Sequence, residues 1–313
     1  MLPLSEIAGL AATLRGRGSS VADVVAAAWG VPPGVAAFWR SSASHVFVLD
    51  GAYLRFGPAG WRSGGGLGAV AGLMRAYGSA AAQPRPSMAG RLVETVRTAR
   101  GPVCAMLVAA APGEAVELEE LGAARAREWG AALARVHRDA PELADLPGPF
   151  GDLDRAADVL AGDRRLVAAI GAIRAELDRL PRDAGCFGVT HGDFELDNLA
   201  WQGEHVTAYD FDEAAHSWYA ADIAHALRDL PAGSPLTAAF LAGYRGIRPM
   251  PDADLARMPL FAAAHTAGWL VRLPAVLDTE AAPADPGWLR TLRTKLIERG
   301  VQQRALVLGA YGA

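Results

Sequence analysis

The hydrophobic pattern of this chain changes its period near residue 110, and that change constrains the fold more than any single motif. Before it, apolar residues fall in short strand-like runs; after Pro112-Gly113 they recur at helical spacing. His45–Leu49 and Tyr53–Phe56 flank Asp50-Gly51, which predicts a hairpin closed by a type I′ turn. Two more strands are expected over 91–98 and 102–109, with a loop at Pro84-Arg-Pro86. Leu4, Ile7, Leu10 and Leu14, then Val21, Val24, Val25 and Trp29, predict two short helices ahead of the sheet. Gly64–Gly68 reads as a flexible break before a weak helix over 69–77. Beyond the change, helices are expected over 114–138 and 154–180 and almost everywhere past Ala220. The tail helix is expected to open with Asp285 as N-cap and Pro286 at its first position. The reading is α+β: a small N-terminal lobe built on an antiparallel sheet, residues 1–110 with its preceding helices, and a mainly helical C-terminal lobe, 111–313.

Composition removes several classes of function. Hydrophobic residues make up 51%, charged residues 20%, and the net charge is −4; that mild acidity argues against a nucleic-acid binder, which needs a basic face to displace counterions from phosphates. Cys104 and Cys186 show no CxxC spacing and cannot build a disulfide framework, which fits a reducing cytoplasm. The start of the chain lacks the basic region of a signal peptide, and the longest uncharged apolar run, Pro102–Pro112, falls short of the roughly 20 residues that span a bilayer. No membrane partner is expected. Monomer and dimer both remain open.

Between the helical blocks lies a segment of different character, Cys186–Trp201 followed by Val206–Glu213. Two short apolar runs, Leu199–Trp201 and Val206–Tyr209, flank Gly203 and can pair as a hairpin. Pairing brings Asp193, Asn198 and Asp210 to one place. Asn198 and Asp210 are hard oxygen donors of the kind that hold Mg²⁺, which keeps several waters and leaves room for phosphates. Asp193 would then stand where a carboxylate can accept the proton of an attacking hydroxyl; protein kinases divide the same labour among Asp, Asn and a second Asp. A metal hydrolase using His191, Asp193, His205 and Asp210 is the competing reading, but such sites favour several His ligands and the hairpin leaves His205 at its turn. His191 reads as a brace that holds the loop by hydrogen bonds. His137 and His265, on helical patterns, read as core or groove residues.

His191-Gly-Asp193-x4-Asn198 followed by Asp210-Phe-Asp212 resembles the aminoglycoside phosphotransferase and choline kinase superfamily. Trp218-Tyr-Ala-Ala-Asp222-Ile-Ala resembles that family's next helix, whose Asp braces the catalytic loop. Val108–Glu114 resembles its lobe-connecting hinge, and Leu133–His137 the end of its first large-lobe helix. The resemblance implies a bilobal protein-kinase-like fold and ATP- or GTP-dependent O-phosphorylation. It implies Asp193 as catalytic residue, Asn198 and Asp210 as Mg²⁺ ligands, Asp222 as a structural brace, and Ala109 and Ala111 against the nucleotide.

The pattern also departs from that family. Arg55 stands on the strand where kinase folds offer Lys to the phosphates; its guanidinium can fork onto phosphate oxygens. The acid that clamps that Lys is absent, since no Asp or Glu occurs from Gly57 through Leu92. Three outcomes are open: a poorly ordered helix, another acid on Arg55, or weak phosphate binding. In place of a Gly-rich loop, Ser41-Ser-Ala-Ser44 would cover the nucleotide, with Ser42 and Ser44 the candidates. For the acceptor, Glu195, Asp197, Asp212, Glu213, Trp218 and Tyr219 lie near the motif, and Trp269, Arg272 and Asp278-Thr-Glu280 further on. Asp212 has three readings: a second metal, the acceptor, or backbone N–H groups. Arg290, Arg293, Lys295 and Arg299 in the tail read as a solvated basic face. The expected function is transfer of a γ-phosphate to a hydroxyl of a small molecule, an aminoglycoside or other hydroxylated antibiotic among the options. A metabolic or protein-directed kinase and a weakly catalytic nucleotide-binding module are the alternatives.

Overall fold

Helix α1 (Leu4–Ala11) opens the chain, and a two-residue hairpin, β1 (Leu14–Arg15) and β2 (Gly18–Ser19), joins it to α2 (Ser20–Ala26). The Ser19 side chain caps α2 by accepting from Val21 N–H. This computed structural model describes residues 1–61, 64–143, 145–231, 233–282 and 285–312. Next come β3 (Ala37–Ser41), β4 (His45–Leu49), β5 (Ala52–Pro58), α3 (Gly64–Ala76), β6 (Pro84–Arg85), β7 (Glu94–Thr98) and β8 (Gly101–Ala109). They form one antiparallel sheet of order β3-β4-β5-β8, with β6 and β7 both paired to β8.

The helical part follows: α4 (Ala123–Arg138), α5 (Gly151–Asp154), α6 (Ala156–Val159) and α7 (Arg164–Asp178). Then β9 (Phe187–Thr190), β10 (Leu199–Gln202), β11 (His205–Ala208) and β12 (Ala215–Trp218) interrupt it, before α8 (Tyr219–Ala226), α9 (Pro235–Arg245), α10 (Asp252–Leu255), α11 (Met258–Val276) and α12 (Gly287–Tyr311). The architecture is a bilobal, kinase-like α+β fold. Among the described residues no helix is long and apolar enough to cross a membrane.

One face of the sheet buries Phe47, Leu54, Phe56 and Leu107 against Val21 and Val25 of α2. The other carries Met106 and Val108 into a core that runs through Leu73 and Met74 of α3 to Trp129, Phe211 and Tyr244. The two lobes therefore share apolar contact behind the cleft. A third cluster sets Leu2, Leu4 and Ile7 against Val276, Leu289 and Leu296, so α1 also packs on the last two helices.

Several expectations need correction. The Asp50-Gly51 hairpin forms, but only Gly51 has positive φ (+63°), so the turn is not type I′. Gly64–Gly68 is helical, held by the apolar residues that follow it into the core. The helix expected from 114 starts at Ala123, because Glu114 exchanges both backbone hydrogen bonds with Trp201 and stays extended. The 154–180 pattern is broken, with Asp163 capping α7 through Leu166 N–H. Pro286 is the N-cap of α12, while Asp285 accepts from Ala282 N–H. In the tail, Arg293 is buried and bonds Thr279, so that face is not wholly solvated.

Candidate active site

The site is assembled by one detour of the chain. Strand β9 leads into a loop, residues 191–198; the β10–β11 hairpin turns at Gly203; residues 209–214 then return the chain to β12, which pairs with β9. The hairpin docks on the small lobe, since Ala208 C=O accepts from Ala82 N–H. Gly192 has φ +80°, and a Cβ there would meet the Glu213 carbonyl, so the loop and the returning segment are in backbone contact.

Buried polar groups hold the loop. Asp222 of α8 accepts from His191 N–H at 2.8 Å and Gly192 N–H at 2.9 Å, and from His137 Nε2 at 2.9 Å. Burial opposes the charge on Asp222, but the His137 bond and neighbouring imidazoles hold its carboxyl below the usual range. The His191 ring donates from Nε2 to Tyr209 C=O (3.2 Å) while Nδ1 accepts from Asp193 N–H (3.3 Å), and burial keeps the imidazole neutral. It therefore ties residue 193 to residue 209, on either side of the hairpin. Trp129 Nε1–H on α4 adds a bond to Phe194 C=O.

Asp193 and Asn198 meet directly: Asn198 Nδ2 donates to Asp193 Oδ2 and to the Asp193 carbonyl, both at 2.9 Å. Asp193 Oδ1 lies 2.7 Å from His225 Nε2 and 3.5 Å from Arg228. Burial alone would raise the Asp193 pKa; the His225 hydrogen bond, with the positive charge of Arg228, brings it down to about 2. Asp210 is the only non-glycine residue with positive φ (+62°) among those described, a conformation that Asp tolerates at a cost. Its carboxylate turns into the interlobe cleft and meets Arg55 at 2.9 Å and Arg40 at 3.5 Å. These cations overcome burial and lower its pKa. Arg55 also reaches Asp212 at 2.6 Å. Another acid on Arg55 is thus the outcome realised: Asp210 and Asp212 come from the large lobe.

Two cavities lie on either side of this segment. The interlobe cleft, about 380 Å³, is lined by Arg40, Tyr53, Arg55, Met74, Val108, Ala109, Ala111, Tyr209 and Asp210. Ala109 N–H is already bonded to Gln83 C=O, whereas Ala111 N–H donates to no described residue. Neither Ser42 nor Ser44 lines this cleft: Ser44 Oγ accepts from Arg55 Nε at 3.4 Å and borders a small adjoining pocket, while the Ser42 backbone bonds Leu2 and Ser44. The second cavity, about 420 Å³, is lined by Asp152, Gly192, Asp212, Glu213, His225, Arg228, His265 and Arg272. Glu213 and Asp152 both meet Arg272 at 3.1 Å.

Not every candidate reaches these cavities. Trp218 contributes to the second cavity's wall, but it is buried among Phe150, Phe187 and Phe261 and its Nε1–H is spent on Pro181 C=O. Tyr219 is buried against His137 with Arg248 over its ring, and Trp269 packs between α11 and α12 under Arg299. Asp278 bonds Ser5 of α1. Asp197 lines the interlobe cleft rather than the second cavity, and Glu195 pairs with Arg228. Sequence reasoning missed Arg40, His225 and Arg228. His225 was within reach, because it lies one turn beyond Asp222 on the same helix; Arg40 carried no signal, since β3 itself went unrecognised.

The fold is that of the kinase-like phosphotransferases. The chain belongs to the phosphotransferase enzyme family (APH), whose pattern matches residues 41–261. A protein of Phenylobacterium zucineum described as homoserine kinase is 32% identical over 234 residues, 68% of this chain and 69% of that one. Among solved structures, amicoumacin kinase in complex with AMP-PNP, Ca²⁺ and amicoumacin superposes with a TM-score of 0.74 at 17% identity, covering 92% of both chains. A microcompartment-associated aminopropanol kinase gives 0.67 at 21% identity, covering 94% of this chain and 98% of that one.

Proposed function

We propose that this chain transfers the γ-phosphate of a nucleoside triphosphate, ATP or GTP, to a hydroxyl of a small molecule. The observation that carries the reading is the position of the Asp193 loop. It parts an interlobe cleft lined by Asp197 and Asp210 from a second cavity lined by Gly192 and Asp212. Donor and acceptor would thus meet across one ionised carboxylate.

The purine sits along β8 and the hinge, where apolar Val108 and Met74 face the base and Ala111 N–H is available to it. Arg55 and Arg40 seat the phosphates. Asp193 orients the acceptor hydroxyl and takes its proton as the bond to phosphorus forms. Asn198 fixes Asp193, and Asp222 and His191 hold the loop. Most of the acceleration comes from alignment and charge neutralisation. The donor set fits a hard divalent cation such as Mg²⁺. The Asn198 amide nitrogen is engaged by Asp193, leaving Oδ1 as its acceptor, and the Asp210 carboxylate faces the cleft. Such a cation would neutralise charge on the transferred phosphate.

The acceptor cavity presents both signs of charge, Arg228 and Arg272 beside Asp152 and Glu213. That mixture suits a small alcohol bearing ammonium and carboxylate groups better than a polycationic aminoglycoside, and the homoserine kinase relative points the same way. The test is a nucleotide-turnover screen of purified protein with Mg²⁺ against homoserine and related hydroxy amino acids, choline, nucleosides, aminoglycosides and other hydroxylated antibiotics. Turnover dependent on one acceptor class is expected. Nucleotide binding without turnover across the whole panel would instead favour a binding module.

A further inference from the structure

We propose that Asp212 positions Arg55 for the triphosphate, standing in from the large lobe for the acid that the small-lobe helix lacks. The inference rests on the reading of Arg55 as a phosphate ligand. A guanidinium enclosed in protein is costly unless it is paired, so a phosphate-seating arginine needs an anchoring carboxylate when no phosphate is present. Helix α3 has no acidic residue to offer. Arg55 instead reaches across the cleft from β5 to Asp210 Oδ1 at 2.9 Å and Asp212 Oδ2 at 2.6 Å.

The two acids differ in a way that separates their tasks. Asp210 lines the cleft, is 19% exposed and also meets Arg40; it is the oxygen donor a divalent cation would take. Asp212 is 6% exposed and is absent from the cleft lining; it borders the second cavity and a small pocket beside Ser44 and Arg55 instead. When phosphates arrive, Arg55 exchanges Asp210 for phosphate oxygens and keeps its bond to Asp212. A planar fork of donors permits that division, because separate N–H groups serve the carboxylate and the phosphate. Because Asp212 belongs to the large lobe, Arg55 is correctly aimed only when the two lobes are together.

A double-mutant cycle on nucleotide binding tests this. ATP and GTP affinities are measured by calorimetry, with and without Mg²⁺, for the wild type, Arg55→Gln, Asp212→Asn and the double variant. Each single change is expected to weaken binding about tenfold or more. The double variant should be no weaker than the worse single, and Asp212→Glu should recover part of the loss. Losses that multiply overturn the proposal. So does an Asp212→Asn protein with unchanged nucleotide affinity and a raised acceptor KM, the result expected of an acceptor contact. If Asp212→Asn does not fold by circular dichroism, Arg55→Lys and Asp212→Glu run the same cycle, with non-additivity supporting the proposal and additivity overturning it. A folded wild type that binds neither nucleotide overturns the kinase reading itself, whereas binding with additive losses overturns only the role of Asp212.

Discussion

His225 Nε2 lies 2.7 Å from Asp193 Oδ1, and His225 sits three residues after Asp222 on α8. One helix therefore supplies both the acceptor for the loop's N–H groups and a donor to the carboxylate at its centre. His225→Ala should lower kcat about tenfold or more while leaving nucleotide affinity in place. It should also move the acid limb of the pH–rate profile to higher pH, because Asp193 loses the bond that holds its pKa near 2. His225→Gln should keep most of the activity. A profile unmoved by the alanine change would deny His225 this part.

Asp193→Asn keeps the shape of the loop and removes the carboxylate proposed to take the acceptor's proton. Turnover should fall by about 10²–10⁴-fold, with nucleotide binding by calorimetry retained. Full activity with a confirmed acceptor would end the catalytic assignment.

Asp210→Asn removes the charge that faces the cleft. Divalent-dependent turnover should disappear, while binding of the bare nucleoside along Val108–Ala111 should change by no more than about twofold, since the hinge is a separate contact. An equal loss of nucleoside binding would indicate a collapsed cleft instead.

Stability should carry an acid limb from His265. Its ring lies tilted against that of His225, centroids 4.2 Å apart, and burial, with the positive groups His225, Arg272 and Arg228 nearby, drives its pKa down to about 3 from 6.5. Between those values the unfolded chain binds the extra proton, so stability rises with pH by up to about 1.4 kcal/mol per unit across that window. His265→Leu should flatten the urea-unfolding midpoint between pH 4 and 6.5.

Gly192→Ala should destabilise the protein by about 1–3 kcal/mol, because φ is +80° and the new Cβ meets the Glu213 carbonyl. Urea unfolding reads the first effect. Any displacement of the loop shows as a loss of kcat larger than the loss of folded protein.

Much of the centre of the site was legible because it is local. Asp193, Asn198 and Asp210 lie on one detour of 18 residues closed by a hairpin, and the short apolar runs Leu199–Trp201 and Val206–Tyr209 on either side of Gly203 predict that hairpin without tertiary knowledge. His191, two residues ahead of that stretch, was legible as a brace from the same motif, whereas Asp222 was reached only through the family resemblance. Element boundaries were less legible. Glu114–Gly122 has helical spacing, yet it is extended at its start because Trp201, far along the chain, supplies hydrogen bonds that a helix would have supplied locally.

The amino-acid sequence by itself determined the division into a sheet lobe and a helical lobe, and the segment that carries the chemistry, since both rest on periodicity and on spacing within a few dozen residues. Tertiary structure alone decided what pairs with Arg55, which side chains face the acceptor, and which aromatic residues are packing. Asp212 is 157 positions from Arg55, and His265 is 40 from His225. Trp218, Tyr219 and Trp269 look alike in sequence to residues of a binding site, but their rings are spent on Phe150, His137 and Arg299. The physical reason is that a side chain's role depends on the charge and volume around it, and here the neighbours come from elements brought together only by burying a common core.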